Sequence, residues 1–96
     1  MKKKDAITFN KEHSKDITLL SLKHHMALSI FIFLCSQMNE FNQAMCSSKE
    51  IQESTNISPS TISRSIKILK EIGFIDVEKS GTSNIYHINN EIVRIG

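Results

Sequence analysis

The segment from Ser58 to Gly73, SPSTISRSIKILKEIG, combines small hydroxyl side chains with cations at spacings that suit contact with DNA. On a helix, Ser60, Arg64, Lys67 and Glu71 point away from the apolar stripe. Thr61 and Ser63 flank them near the N-terminal end. Serine and threonine approach phosphates and base edges closely, and arginine pairs bidentately with guanine. We therefore interpret the segment as a helix that reads a major groove. An ordinary surface helix with a solvated face is the alternative, since amphipathic helices of this kind are common.

Start and stop signals bound this predicted helix. Ser58 can accept hydrogen bonds from the first free backbone N–H groups, and Pro59 occupies the first helical position, where its missing N–H costs nothing. Gly73 supplies the left-handed residue that ends a helix. The apolar positions recur at helical spacing: Ile62, Ile66 and Leu69, with Ile72 at the margin. One face of the helix is therefore expected to pack on a core.

A shorter helix precedes this one. Ser47 and Glu50 form a capping box, which predicts a helix of about two turns that ends near Thr55, with Ile51 as its main apolar anchor. Residues 56–59, Asn-Ile-Ser-Pro, then turn the chain into the longer helix. A short capped helix, a tight turn and a longer capped helix together form the helix-turn-helix plan.

After Gly73 the apolar period changes from helical to extended. Two β-prone runs, 74–79 and 84–89, flank a flexible turn at 80–83. Apolar and polar residues alternate in both runs, so each strand is expected to bury one face. The two runs predict a β-hairpin, which in this place is a wing.

The residues before the short helix are expected to form the scaffold of the domain. We predict a long helix from Ser21 to about Asn39, which is apolar on most of its circumference from Met26 onward. Its consecutive apolar residues 31–34 cannot all face one core stripe. This favours either burial on two sides or contact with a second subunit, and a homodimer is therefore expected.

Three short segments and a division of the chain complete the structural prediction. The β-prone run 6–9 is expected to add an edge strand, and the extended segment 43–46 to pair with later strands. Asn90 is expected to cap a last helical turn over 91–96. We divide the chain into an N-terminal basic arm and lead-in segment, residues 1–20, and a helix-turn-helix domain with its wing, residues 21–96.

Length and composition fit one domain. The 96 residues carry a formal net charge of +2, with 40% hydrophobic and 23% charged residues. That charge permits nucleic-acid binding without requiring it. The N-terminus lacks the apolar core of a signal peptide, and the longest apolar stretch, 26–35, is far shorter than the ~18 residues that span a bilayer. We therefore expect a cytoplasmic protein with no membrane partner.

No residue pattern points to catalysis, a metal or a cofactor. Cys35 and Cys46 lack the spacing of a zinc site and are interpreted as reduced structural thiols, with a redox pair as the alternative. The adjacent His24 and His25 point about 100° apart on a helix, so they cannot chelate one ion together. Without a catalytic triad, a glycine-rich phosphate loop or paired carboxylates, an enzyme is not expected. A regulator that senses a ligand or metal stays open, although no residue cluster indicates an effector.

The order of predicted elements resembles the winged helix-turn-helix, an α+β fold of three or four helices and a small antiparallel β-hairpin wing. Residues 47–89 resemble bacterial regulators of the MarR-like winged class, and residues 22–96 resemble plasmid replication proteins of the RepL type. The likeness rests on the runs ALSIFIFLCSQMN, STISRSIKILKEIGFI and IYHINNEIVRIG, with the shorter elements KEI and NIS. Tails in that family usually contain an Asn-Pro turn. Here Asn90 stands where proline is usual, and residues 92–95 replace an aromatic-containing ending.

The resemblance implies a homodimer that places one recognition helix of each subunit in successive major grooves of a near-palindromic or repeated double-stranded DNA site. Its role would lie in plasmid or phage replication control or in transcriptional regulation. The residues implied to contact DNA are Lys49, Ser58, Ser60, Thr61, Ser63, Arg64, Lys67, Lys79, Thr82, Ser83 and Asn84.

One position and one strand support a different function. Ile68 departs from the polar residue usual at its place in such helices, and it lies on the exposed side of the helical wheel, where a contact with another element is expected. The first wing strand is acidic, with Asp76 and Glu78. The alternative is therefore a winged-helix protein–protein interaction module without specific DNA binding.

Overall fold

The computed structural model describes residues 7–95, and the side chains of residues 10–12 and 15–93. A short 3₁₀ turn, Lys11–His13, links the first strand to the first helix. The helices and strands of the described part are, in order, β1 (Ile7–Phe9), α1 (Ser14–Lys23), α2 (His25–Gln37), β2 (Gln43–Cys46), α3 (Ser48–Thr55), α4 (Pro59–Glu71), β3 (Ile75–Ser80), β4 (Ser83–Ile88) and β5 (Val93–Ile95). No helix in this part of the chain has the length and apolar character needed to cross a bilayer.

The strands form two small antiparallel sheets. In the three-stranded sheet β4 lies between β2 and β3, whereas β1 and β5 pair separately. The β3–β4 hairpin ends with Ser80 opposite Ser83, and β2 joins it with Ala44 opposite Tyr86. The hairpin is the predicted wing, and the pairing of β2 is the one expected of segment 43–46. Both predictions are confirmed.

Helix α2 forms the centre of the core, where it contacts α1, α3, α4 and β2. Ile30, Phe31 and Leu34 are fully buried, and the rings of Phe31 and Phe74 lie 5.0 Å apart at an angle of 60°. Each large apolar side chain buried in this way contributes about 1.5–3 kcal/mol. Ile32, on the other side of α2, keeps 50% of its surface exposed. The predicted scaffold role of this segment is confirmed.

The long first helix predicted from Ser21 to Asn39 is wrong in its extent. The chain forms α1 and α2 instead and bends at His24, whose φ of −137° and ψ of 58° are not helical. Hydrogen bonds bridge the bend, since the His24 N–H donates to the Leu20 carbonyl at 2.7 Å and the Leu28 N–H donates to the His24 carbonyl at 3.0 Å. Neither proline nor glycine marks this bend, so the sequence pattern shows one continuous helix. The proposed division after residue 20 falls within α1 and stays a prediction.

The helical turn expected over 91–96 is also wrong. Val93–Ile95 is strand β5 and pairs antiparallel with β1, in keeping with the strand preference of β-branched residues. Asn89, rather than Asn90, holds the preceding turn, because its side-chain oxygen accepts a hydrogen bond from the Glu91 N–H at 2.9 Å. The edge strand expected over 6–9 is present as β1. The basic tip at residues 1–4 lies outside the described residues.

Candidate nucleic-acid interface

Helix α4 has one buried and one exposed face. Ile62, Ser65 and Leu69 are buried, and at 100° per residue they form a single stripe toward α2 and the core. The predicted contact residues on the opposite side are exposed, namely Ser60, Ser63, Arg64 and Lys67. The exposed face of α4 therefore presents two hydroxyls and two cations, the groups that contact phosphates and base edges. Glu71, at the C-terminal end of the helix, is exposed on the same face.

The N-terminus of α4 is held by two hydroxyls that were predicted to contact DNA. Ser58 is the N-cap, with Pro59 directly after it. The Ser58 oxygen accepts a hydrogen bond from the Thr61 N–H at 3.4 Å, and its own hydroxyl donates to the Thr61 oxygen at 3.0 Å. Thr61 is half-buried. Both side chains therefore first serve to order the helix start, and the exposed Ser60 hydroxyl lies beside them, 3.5 Å from the Ser58 hydroxyl.

The turn between α3 and α4 fixes how the two helices follow each other. Asn56 ends α3 in the left-handed conformation, with φ 59°, and its N–H donates to the Gln52 carbonyl at 2.8 Å. Asparagine is one of the few residues that adopts this conformation readily. Ile57 is buried and anchors the turn on the core. The predicted helix-turn-helix is thus confirmed, with both helix starts where the caps placed them.

Lys49 lies in the first turn of α3 and is exposed. The predicted capping box is present: the Ser47 oxygen accepts from the Glu50 N–H at 3.1 Å, and the Glu50 carboxylate accepts from the Ser47 N–H at 2.7 Å. The capping box satisfies two backbone donors at this end. Lys49 is the cation that α3 adds beside them.

The wing tip presents part of the predicted set. Gly81 adopts φ 65° and is the first central residue of a two-residue hairpin turn, a position that favours glycine. Lys79 and Thr82 are exposed, and Ser83 is half-buried. Asn84 is engaged within the sheet, since its side-chain N–H donates to the Tyr86 hydroxyl at 3.0 Å. Sequence alternation alone does not show that contact.

The outer face of the wing is acidic away from its tip. Asp76 and Glu78 are exposed on β3, and His87 on the neighbouring strand lies 3.0 Å from the Glu78 carboxylate. Lys79 lies nearer the tip than either carboxylate. The positive end of the wing is therefore its tip, which is the end that a phosphate backbone would favour.

Two residues of α4 pack toward the core although neither was assigned to the apolar stripe. Ile68, placed on the exposed side of the helical wheel, is half-buried and packs against the core. The contact with another element that was expected there is thus a contact within the domain. Ser65 is buried although it is polar, because the helical period places it on the apolar stripe between Ile62 and Leu69, away from the exposed serines at 60 and 63.

The two thiols are unsuited to redox or metal chemistry. Burial raises the pKa of Cys35 to about 12. Burial, aided by the nearby Glu50 carboxylate, raises the pKa of Cys46 to about 11. Because the thiolate is the reactive and metal-binding form, both groups act as small apolar side chains near neutral pH. Over the part of the chain that the structure describes, no group of three or more His, Cys, Asp or Glu side chains could hold a metal ion.

Solved structures of other proteins share this fold. The chain is similar to the solved structure of the type III plasmid segregation protein TubR, with a TM-score of 0.54 and 18% identity over 80% of this chain and 73% of that one. It is also similar to a predicted DNA-binding transcriptional regulator from E. coli, with a TM-score of 0.53 and 22% identity over 83% of this chain and 79% of that one. At these identities the likeness shows the winged-helix fold alone.

Sequence comparison adds the family. A search of curated protein sequences gave no significant match. The model of the Firmicute plasmid replication protein (RepL) family matches residues 2–96, nearly the whole chain. The protein belongs to the RepL family of Firmicute plasmid replication proteins.

Proposed function

We propose that this protein binds a specific double-stranded DNA sequence as a homodimer and acts in the cytoplasm in the control of plasmid replication or in transcriptional regulation. Membership of the RepL family supports the replication context. The winged-helix neighbours include a plasmid segregation protein and a predicted transcriptional regulator. The second neighbour is a predicted DNA-binding protein, which supports DNA binding, and the two neighbours together leave both regulatory contexts open for this chain.

The observation that carries the proposal is the division of α4 into a packed face and a polar, cationic face. Arg64 and Lys67 lie on the exposed face, one turn apart. A bidentate pair between the Arg64 guanidinium and guanine reads the sequence, and a Lys67 contact with phosphate positions the helix. Ser60 and Ser63 are short enough to let the helix approach the groove closely.

The remaining predicted residues divide into contacts and positioning groups. Lys49 on α3 and Lys79 with Thr82 and Ser83 on the wing contact phosphates on either side of the groove. Ser58, Thr61 and Asn84 act mainly through their hydrogen bonds within the domain. In a homodimer the two copies of α4 enter successive major grooves, so a near-palindromic site with half-sites about one helical turn apart is expected.

A binding selection followed by mutation tests the proposal. Duplexes selected from a random library are compared with a scrambled duplex by fluorescence anisotropy over a range of salt concentrations. We expect the selected site to bind about 10³-fold more tightly or better, with a steep salt dependence. Arg64→Ala should cost about 1–3 kcal/mol and relax the preference at one base pair of each half-site.

Lys70→Ala is the matched control. Lys70 is an exposed cation in the last turn of the same helix, at the end opposite Ser60, and it lines a groove with Gly73 and Asp76. The control should keep the preference of the wild-type protein and lose only a small, sequence-independent part of the affinity. Equal binding of selected and scrambled DNA by the wild-type protein would refute specific recognition.

A protein–protein interaction module is the second candidate. The observation that favours it is the outer sheet face, where Met45 keeps 63% of its surface exposed and shares that face with Asp76 and Glu78, from which β4 separates it. This module predicts a stable complex with another protein and no specific DNA binding. The anisotropy comparison therefore separates the two candidates.

A further inference from the structure

Helix α1 exposes large apolar side chains that the domain itself does not cover. Leu20 is buried, but Leu19 and Leu22 keep 53% and 76% of their surfaces exposed. Because they lie three positions apart on the helix, Leu19 and Leu22 form one apolar strip along it. Single exposed leucines are ordinary, whereas a contiguous apolar patch marks an interaction surface.

The strip continues into a shallow cavity between α1 and the end of α4. This cavity has a volume of about 200 Å³, and its apolar lining comes from Leu19, Leu20, Ile72 and Phe74. Ile72 is itself 47% exposed. The apolar patch therefore spans two elements.

The side chains beside the strip carry opposite charges at the two ends of α1. Asp16 and Lys23 both border the cavity and lie seven positions apart, near opposite ends of α1, so they project on the same side of the helix. A two-fold axis that runs α1 antiparallel to its copy places Asp16 of each subunit opposite Lys23 of the other. A two-fold interface must be self-complementary in this way.

We infer that the surface formed by Asp16, Leu19, Leu22, Lys23 and Ile72, here called the α1 surface, is the homodimer interface, with the two copies of α1 packed antiparallel. The inference rests on the homodimer of the proposed function and names the surface that forms it. The apolar strip of each subunit covers that of the other, and two Asp16–Lys23 pairs flank the contact.

The position of the α1 surface fits this role. Ile72 follows the C-terminal end of α4, whereas Ser58 begins it, and a helix of this length spans roughly 20 Å. An interface at the α1 surface therefore leaves the N-terminal half of α4, with Ser60 and Arg64, open to DNA in both subunits.

The rival apolar patch is less suited to self-association. Phe41 and Met45 are also well exposed, but Glu40 precedes Phe41, and Met45 shares the outer sheet face with Glu78 through Ile85. Two copies of that patch would bring carboxylates together. Like charges in an interface oppose association.

Paired variants test the interface by sedimentation equilibrium and size-exclusion chromatography with light scattering. Leu22→Glu should raise the dimer dissociation constant at least about 100-fold, whereas the control Met45→Glu, also at an exposed apolar residue, should leave it within about threefold of wild type. Circular dichroism should show unchanged helix content in both variants. A dimer that survives Leu22→Glu, or one that only Met45→Glu disrupts, would overturn the inference.

A charge exchange tests the antiparallel arrangement itself. Asp16→Lys and Lys23→Asp should each weaken the dimer about tenfold, because each places like charges opposite each other twice. An equimolar mixture of the two variants should regain dimers, since every opposed pair is then Lys against Asp. A loss of stability within one subunit gives no such recovery, so failure of the mixture to dimerise contradicts the antiparallel pairing.

The same proteins separate failure of the interface from failure of DNA binding. Each variant is titrated with a duplex that carries one half-site and with a duplex that carries two. The monomeric Leu22→Glu should keep half-site affinity and lose the gain that the second half-site gives. A wild-type protein that binds its DNA site as a dimer which Leu22→Glu leaves intact overturns the α1 interface alone, and a dimer through α1 that binds no DNA overturns the proposed DNA binding alone.

Discussion

The side-chain amide of Asn42 donates a 2.7 Å hydrogen bond to the carbonyl oxygen of Val93, 51 residues further along the chain. The same amide lies 3.3 Å from the Ile88 carbonyl, and the Ile88 N–H donates to the Asn42 carbonyl at 2.8 Å. Asn42 is buried and has φ 57°. One residue thus joins the entry to β2, the end of β4 and the start of β5.

Replacing Asn42 with alanine should lower the free energy of unfolding by about 2–4 kcal/mol. The change leaves buried carbonyl oxygens without their donor and places an alanine at a positive φ. Urea unfolding followed by circular dichroism measures this loss.

Asn42→Gly separates the two contributions. Glycine adopts the positive φ without strain, so this variant should recover about 1 kcal/mol relative to Asn42→Ala and remain clearly less stable than wild type. Equal stability of Asn42→Gly and the wild-type protein would show that the hydrogen bonds to Ile88 and Val93 contribute nothing.

The helix-turn-helix and the wing were predictable because their signals are local. The capping box at Ser47 and Glu50, and the Ser58-Pro59 start of α4, fix helix ends through residues three or fewer positions apart. The alternation of Ile75 and Val77 with Asp76 fixes which face of β3 is buried. The candidate residues on the exposed face of α4 follow from the same helical period.

The features that the sequence did not predict depend on distant parts of the chain. Strand β5 forms because Val93 lies opposite Phe9 of β1, and a run of three residues carries no period of its own. The bend at His24 has no proline or glycine to mark it. The hydrogen bond that engages Asn84 depends on the position of the Tyr86 hydroxyl, which only the folded sheet defines.

Asn90→Pro should stabilise the protein. The Ile92 N–H donates to the Asn89 carbonyl at 3.0 Å, which makes Asn90 the second residue of a tight turn, the position that proline favours. Proline restricts the unfolded chain and should raise the free energy of unfolding by about 0.4–1 kcal/mol. Thermal unfolding of the wild-type protein, Asn90→Pro and the control Asn90→Ala, which lacks the proline ring, tests this. A melting temperature of the proline variant below that of wild type would contradict the turn geometry.

Lys79→Ala should weaken DNA binding by a similar factor for every sequence. Lys79 is exposed beside the wing tip, where we propose that it contacts phosphate rather than a base. Loss of one such contact makes the negative slope of log K against log salt shallower by about 1. Lys70→Ala should change this slope less. If the Lys79→Ala variant lost affinity for the selected site and kept its affinity for scrambled DNA, Lys79 would instead contact a base edge.

Alkaline pH should destabilise the protein through its buried thiols. Burial raises the pKa of Cys35 from 9.0 to about 12 in the folded state, so above pH 9 the unfolded chain releases a proton that the folded protein retains. The stabilisation from this difference is complete below pH 9 and is lost as pH rises toward 12, at about 1.4 kcal/mol per pH unit for Cys35. Cys46, with its pKa raised to about 11, acts in the same direction.

Urea unfolding at pH 8, 9, 10 and 11 measures this loss, with Cys35→Ala as the comparison. The variant starts from a lower stability because it leaves a small cavity in the core. Its stability should fall less steeply between pH 9 and 11, because the Cys35 thiol no longer contributes. Cys46 and the buried Tyr86, whose pKa values burial also raises, still lower the stability as the pH rises. Parallel pH profiles for the two proteins would show that the Cys35 thiol is not shielded in the fold. Thiol labelling at pH 8 supplies an independent check, because a buried, protonated thiol should react only as fast as the protein unfolds.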